Sequence, residues 1–360
     1  MRWTASVSRC GFFDSETCLW HPDCLFRAGG TLLDYTGTRV LLTGASGFIG
    51  SHLAEELVTC GASVRAFLHY NSRGDEGNLK YVASEIRREI EVVYGDLTDS
   101  DAVRKAVHGT THVFHLGALI AIPYSYIHPF SFVQTNVVGT ANLLNACVEA
   151  GIERLITTST SEVYGTALTV PMDEKHRLHP QSPYAASKAS ADHLAESYAR
   201  SFDLPVVVVR PFNTFGPRQS TRAVIPTIIV QALRNGAIDI GSTTPTRDFN
   251  FVKDIAHGFA LAGEAGGVLG EVFNLGTGEE HSIAEVIQNI STILGASLHV
   301  REREDRLRPA SSEVHRLIAD SRKAAQRLGW RPRYSFREAL EETMEWYETY
   351  EQAIAHAHSL

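Results

Sequence analysis

The sequence predicts an α/β fold, a doubly wound parallel sheet followed by a smaller C-terminal substrate lobe, and three observations predict it. Short apolar runs alternate with helical patterns from about residue 38 to residue 209. The runs are continuously apolar, as strands are when helices cover both faces of a sheet. The first run ends in a glycine-rich turn that opens a helix, and open parallel sheets bind ligands at such strand ends. Strands alternating with helices imply right-handed crossovers between parallel neighbours.

The elements follow in order. Residues 39–42 form a short apolar strand. Residues 51–60 carry helical spacing, which Gly61 stops. Strands are expected at 64–68, 91–94 and 112–116, then a helix at about 137–150. A strand at 154–158, a helix at 184–202 and a strand at 205–209 complete the regular part. After Pro211 the pattern loosens, with helices near 227–235, 283–294 and 336–350. We therefore expect a leader at 1–37, a dinucleotide-binding domain at 38–210 and a substrate-binding lobe at 211–350, some of whose strands return to the main sheet.

Composition narrows the function. Of 360 residues, 44% are hydrophobic and 21% charged, ordinary values for a globular chain with ample core material. The net charge is −8 and no basic stripe stands out, so no nucleic-acid partner is expected. No apolar run is long enough to cross a bilayer, and the N-terminus lacks the apolar core of a secretory signal, so a cytoplasmic, membrane-free protein is expected. The five cysteines, at 10, 18, 24, 60 and 147, are too unevenly spread for a disulfide framework. Cys10, Cys18, His21 and Cys24 have the residue types of a zinc clip but not a standard knuckle spacing, and no metal is expected.

The glycine-rich turn is Thr43-Gly44-Ala45-Ser46-Gly47-Phe48-Ile49-Gly50. Glycines at 44, 47 and 50 permit a tight turn and let backbone approach a pyrophosphate, whose charge meets free N–H groups and the helix dipole. The turn suits a Rossmann-like cradle for a dinucleotide, and its G-x-x-G-x-x-G spacing resembles the short-chain dehydrogenase/reductase superfamily, which implies a nicotinamide cofactor with Phe48 and Ile49 among its contacts. At the end of the second strand, where a carboxylate normally holds the adenosine ribose, stand Leu68, His69, Tyr70 and Asn71. The reading favours NAD and leaves NADP open, since His69 or Arg73 suits a 2′-phosphate.

Tyr184-Ala185-Ala186-Ser187-Lys188 follows Pro183, a residue suited to a helix start. The i, i+4 spacing sets Tyr184 and Lys188 on one helical face. A phenol is a weak base at neutral pH unless an adjacent ammonium and a cationic ring favour its ionised form. Ser159-Thr160-Ser161-Glu162-Val163-Tyr164-Gly165 closes the strand at 154–158, where ligand sites of such sheets lie. Thr160 is placed to hydrogen-bond a reacting hydroxyl, and Glu162 delivers a carboxylate to the same spot.

From about residue 40 to residue 347 the chain resembles an extended short-chain dehydrogenase/reductase of the NAD-dependent epimerase/dehydratase family. The segments 118–126 (Ala-Leu-Ile-Ala-Ile-Pro-Tyr-Ser-Tyr) and 246–254 (Thr-Arg-Asp-Phe-Asn-Phe-Val-Lys-Asp) resemble nucleotide-sugar 4,6-dehydratases, and most nearly the UDP-N-acetylglucosamine type of legionaminic acid pathways. The resemblance implies deoxysugar biosynthesis from a nucleotide-diphosphate sugar. It implies catalytic Thr160, Glu162, Tyr184 and Lys188, of which Tyr184 and Lys188 also meet the cofactor, with Asn71, Asp96, Leu97, Leu116 and Ala118 joining the glycines around it. It implies that Ser161, Asn213, Arg218, Val224, Arg247 and Arg308 meet the substrate. It also implies a homodimer through the helices at 137–150 and 184–202.

The implied reaction oxidises C4 of the sugar, eliminates water across C5 and C6, and returns hydride to C6. Many dehydratases of the family carry Thr-Asp-Glu where this chain has Thr160-Ser161-Glu162. The resemblance gives Thr-Ser-Glu to GDP-mannose dehydratases and UDP-glucuronate decarboxylases alike, so UDP-glucuronate decarboxylation stays an alternative with the same first step, as does 4-epimerisation, against which Glu162 counts. A non-catalytic NAD sensor is a third, of a different class, and the intact Thr160, Tyr184 and Lys188 speak against it.

Overall fold

In the computed structural model, which describes residues 33–303, 312–314 and 316–357, the apolar runs become one seven-stranded parallel sheet. Six strands are β1 (Arg39–Thr43), β2 (Ser63–His69), β3 (Ile90–Gly95), β4 (His112–His115), β5 (Arg154–Thr158) and β6 (Val206–Pro211). The seventh, Val272–Leu275, pairs beside β6. Across the sheet the order is Val272–Leu275, β6, β5, β4, β1, β2, β3. The chain builds outward from β1 in one direction and then, from β4, in the other. That reversal opens a crevice beyond the carboxyl ends of β1 and β4.

Both faces are covered. Helix α1 (Phe48–Thr59) buries Leu53, Ala54 and Leu57 on one face. The helix Val252–Glu264 packs beside it and buries Ile255, Ala256, Phe259, Ala260 and Ala262. The opposite face is covered by Ser100–Val107, Gly139–Ala150 and Pro183–Ser201, through Val103, Leu143, Leu144 and Ala195. Residues beyond 211 form a second apolar core around Ile225, Ile228, Ile287, Leu340 and Tyr347.

Sequence patterning overlooked the helix Val252–Glu264. Two glycines interrupt it, and each is there for packing. A Cβ on Gly263 would lie 2.2 Å from the Tyr35 hydroxyl, and one on Gly258 would lie 2.5 Å from Leu275 Cδ1. The helix therefore sits against the main sheet although its sequence lies beyond 211, as does the strand Val272–Leu275. The expected helix at 137–150 begins at Gly139 and is preceded by a π-helical stretch, Val133–Val138.

Cys60 closes α1 and Cys147 is buried in Gly139–Ala150, and both are free thiols. Cys10, Cys18, His21 and Cys24 lie outside the described residues. Among the described residues no helix is long and apolar enough to cross a membrane, and no His, Cys, Asp and Glu cluster is arranged to hold a metal.

Candidate active site

A cleft of about 650 Å³ opens at the carboxyl edge of the sheet, within the range of small-molecule sites. At one end β1 turns into α1. Gly44 has φ +73°, and a Cβ there would lie 2.7 Å from the Gly117 nitrogen. On Gly50 a Cβ would lie 2.1 Å from the Gly44 carbonyl oxygen, so the first turn of α1 closes on the β1 loop only because residue 50 is glycine. Gly47 is the N-cap residue of α1 and supplies no side chain, leaving the first N–H groups without a side-chain acceptor. An uncapped helix N-terminus framed by close-packed glycines suits a pyrophosphate.

The loop after β4 closes the same end through a buried histidine. Thr140 Oγ1 donates to the Asn136 carbonyl (2.6 Å), so it accepts from His115 Nε2 (3.0 Å). His115 Nδ1 is then the acceptor for the Thr43 hydroxyl (2.8 Å), which in turn accepts from the Gly117 N–H (3.0 Å). Burial pushes the imidazole down to about 3, with Lys188 adding to the effect, and the neutral ring locks the loop to β1. Nothing in the sequence pattern singled out His115.

β2 ends in His69, and the nearest carboxylate comes from Asp96 at the end of β3, 3.5 Å from His69 Nδ1. Burial raises the Asp96 carboxyl, but bonds from the Thr98 N–H and hydroxyl (2.8 and 2.7 Å) outweigh it and hold the group below its usual range.

At the other end three elements converge. Thr160 follows β5 and caps the 3₁₀ segment Ser161–Tyr164, accepting from the Glu162 N–H at 3.2 Å. The helix Pro183–Ser201 starts with Ser182 accepting from the Ala185 N–H (3.1 Å) and with proline in its first turn. That start sets Tyr184 against Thr160, and the two side chains hydrogen-bond. Burial drives the Tyr184 phenol well above its ordinary value; the Thr160 bond pulls it back, while Glu162 and Asp192 push it further up. Lys188, one turn on and buried, is lowered by burial, and Asp192 opposes the loss of its charge. The polypeptide alone thus keeps Tyr184 protonated near neutrality, and its ionisation needs more positive charge.

Of the residues singled out in the sequence, Gly44, Gly47, Phe48, Ile49, Gly50, Asp96, Leu97, Leu116, Ala118, Thr160, Ser161, Glu162, Tyr184 and Asn213 line this one cleft. Lys188 lies behind Tyr184. Asn71 does not line the cleft; its side chain is used inside the loop after β2, accepting from the Arg73 and Asp75 N–H groups and donating to the Asp75 carbonyl. Arg218 turns to Glu55 in a bidentate pair (2.8 and 3.0 Å), bracing α1 from outside the cleft. Arg247 pairs with Glu313 (3.3 Å), and Val224 opens the helix Val224–Asn235 and packs on the second core. Arg308 lies outside the described residues. Gln219 and Thr135 line the cleft without any sequence signal beyond their polarity.

Residues 41–343 match the family model described as GDP-mannose 4,6 dehydratase. A trifunctional UDP-glucose 4,6-dehydratase/UDP-4-keto-6-deoxy-D-glucose 3,5-epimerase/UDP-4-keto-L-rhamnose-reductase of Arabidopsis thaliana is 32% identical over 328 residues. The match covers 88% of this chain and 48% of that protein, so the chain spans about half the length of that relative. A UDP-glucose 4-epimerase of Mycolicibacterium smegmatis is 34% identical over 86% of this chain and 98% of its own. Among solved structures, dTDP-glucose 4,6-dehydratase (DesIV) from Streptomyces venezuelae, with NAD and TYD bound, superposes with a TM-score of 0.79 at 32% identity. That superposition covers 87% of this chain and 97% of the other.

Proposed function

We infer the activity from one premise: this chain belongs to the GDP-mannose 4,6-dehydratase family. The inferred activity is NAD-dependent 4,6-dehydration of a nucleotide-diphosphate sugar to a 4-keto-6-deoxy sugar. The observation that carries it is the meeting, in one cleft, of a glycine cradle with Thr160, Glu162 and Tyr184. The uncapped N-terminus of α1 and the glycines at 44, 47 and 50 fit the pyrophosphate of NAD, with Phe48, Ile49, Asp96, Leu97, Leu116 and Ala118 along its length. Functionally the chain divides into a cofactor half, 38–210, and a substrate half, 211–350.

When bound, NAD supplies a hydride acceptor for C4 and a hydride donor for C6. The residues of the chain do the proton work. Tyr184, ionised with the help of Lys188, takes the proton of the C4 hydroxyl, and Thr160 holds that hydroxyl. The 4-ketone acidifies the C5 proton, which Glu162 removes as the C6 hydroxyl leaves. Ser161 has no acidic proton to give, so Glu162 passes the proton it has gained to the departing hydroxyl. C5 is then reprotonated from solvent by way of Glu162, and Tyr184 releases to solvent the proton it took. Asn213 and Ser161 contact the substrate from the cleft wall. Arg218, Val224, Arg247 and Arg308 are the more remote candidates for its nucleotide and diphosphate.

UDP-N-acetylglucosamine is the proposed substrate, supported by the character of the 118–126 segment, in which Leu119, Ile120 and Ile122 give the cleft an apolar wall. We place the enzyme in the cytoplasm as a homodimer. Support for the dimer comes from the neighbouring helices Gly139–Ala150 and Pro183–Ser201, which leave Val138, Val148 and Phe202 exposed around them.

A 4-epimerase is the second reading, favoured by the match to the Mycolicibacterium epimerase and opposed by the carboxylate of Glu162. The deciding experiment incubates the protein in heavy water with UDP-N-acetylglucosamine, UDP-glucose, GDP-mannose and UDP-glucuronate. Dehydration gives a product lighter by one water and labelled at C5. An unlabelled 4-epimer, or release of carbon dioxide, overturns the dehydratase reading.

A further inference from the structure

Behind the Tyr184–Lys188 pair lies a buried ionic chain that the reaction scheme does not use. Asp192, 1% exposed, follows Lys188 by one helical turn. Its Oδ2 accepts from the Ser159 hydroxyl (2.5 Å) and from Arg210 Nε and a terminal guanidinium nitrogen (3.2 and 3.1 Å). Arg210 reaches on to donate to the Tyr164 hydroxyl (3.0 Å), which donates to Asn274 Oδ1 (2.8 Å). Ser159 immediately precedes Thr160, so the chain ties the catalytic helix to the strand end that carries Thr160.

Two features argue for more than a tie between helix and sheet. Asp192 Oδ1 is buried with no hydrogen-bond partner, an expensive arrangement unless a charge faces it. The Lys188 side chain, 4% exposed, makes no hydrogen bond or close ion pair among the described residues, and Asp192, one turn on along the same helix, is the carboxylate that can answer its charge across a short gap. We propose that Asp192, buried one helical turn from Lys188 with an unpartnered carboxylate oxygen, supplies the counter-charge that keeps Lys188 ionised for catalysis, and that Arg210 sets how much of that charge the lysine feels.

Other charged or titratable groups around the pair come from each packed element. Glu162 from the 3₁₀ segment faces Tyr184, and His115 from β4 sits near Lys188 but is kept neutral by burial. Arg210 from β6 and Tyr164 lie beyond Asp192. Asp192 is thus the carboxylate that acts on Lys188, opposing the effect of burial. A lysine that lost its charge here would leave Tyr184 protonated.

The inference rests on the cofactor reading above, in which the Lys188 ammonium meets the dinucleotide. It is tested on the full chain by titrating NAD at a series of pH values and finding the alkaline midpoint at which affinity falls. Asp192→Asn should move that midpoint to lower pH by about one unit or more, since an opposite charge beside the ammonium is lost. Arg210→Gln should move it to higher pH, because the full Asp192 charge then acts on the lysine. Arg210→Lys, which keeps the charge, should leave it in place. A purely structural role predicts weaker binding in these variants with the midpoint unmoved, and that result overturns the inference. If Asp192→Asn does not fold, the direction of the Arg210→Gln shift decides alone. A wild-type chain that binds no NAD overturns the cofactor reading itself, and this inference with it.

Discussion

At the glycine end of the cleft the chain works through backbone, whereas at the Tyr184 end it works through side chains brought from three elements. Gly44 and Gly50 create a shape by lacking side chains, and the N–H groups of α1 follow from that shape. Thr160, Glu162 and Tyr184 instead come from separate elements, which a remote network ties together from behind through Ser159, Asp192 and Arg210. The two ends should therefore fail differently. Damage to the first should abolish cofactor binding, while loss of Thr160, Glu162 or the Tyr184 hydroxyl should spare binding and stop chemistry.

The largest expected effect lies at the side-chain end. Tyr184→Phe removes the group that takes the C4 proton, so kcat should fall by about 10²–10⁴-fold. NAD affinity should change little, because the cradle is untouched. Turnover at the wild-type rate would remove Tyr184 from the mechanism, and joint loss of turnover and NAD binding would erase the contrast between the two ends.

Gly50→Ala tests the backbone end. The new methyl would start 2.1 Å from the Gly44 carbonyl, and the turn must open to admit it. Overpacking of this kind costs about 1–3 kcal/mol. NAD affinity should drop by at least tenfold, and the melting temperature should fall with it. Unchanged affinity would mean that the cofactor does not use this turn.

How much of this was legible in the sequence follows the same divide. The glycine spacing and the strand–helix alternation were legible because they are local, each written within a few consecutive residues. Tyr184 and Lys188 were legible for the same reason, being four residues apart on one helix. The resemblance assigns Arg218 and Arg247 to the substrate, but the sequence does not say which carboxylate answers an arginine. The structure supplies Glu55 and Glu313, 163 and 66 residues away. The helix Val252–Glu264 escaped because Gly258 and Gly263 lower its helical signal, and their purpose is tertiary. His115 escaped for a similar reason: both its partners, Thr43 and Thr140, are remote.

Two such remote histidines sharpen the comparison through pH. His115 and His52 are both pushed by burial to about 3, His52 with Nε2 donating to the Pro217 carbonyl at 3.1 Å. Their folded values lie below the unfolded value of 6.5, so between those limits the unfolded chain binds more protons. Stability from these rings is fully present above pH 6.5 and is lost as pH falls toward 3. Going from pH 7 to pH 5 should cost on the order of 1–2 kcal/mol for each ring. Denaturant midpoints measured across this range should show the loss, and His52→Asn should reduce the slope by about one proton. An unchanged slope would mean that His52 is not held neutral in the folded protein.

The smallest expected effect is at Asn71, which stands at the cofactor end by sequence yet serves the loop by structure. Its side chain holds the turn at 71–75 through three hydrogen bonds, of 3.1, 2.9 and 2.8 Å, in an exposed setting. Exposed bonds of this kind are individually weak, so Asn71→Ala should cost about 1 kcal/mol of stability. NAD affinity should fall by no more than about tenfold, through loosening of the loop and not through loss of a direct contact. Asn71→Asp separates the two accounts: it keeps the acceptor that receives the Arg73 and Asp75 N–H groups and loses only the donor to the Asp75 carbonyl. If Asn71 acts through the loop, Asp should restore most of the affinity that Ala loses. If Asp binds NAD more weakly than Ala does, its new charge is meeting the dinucleotide directly, and Asn71 then belongs to the cofactor site after all.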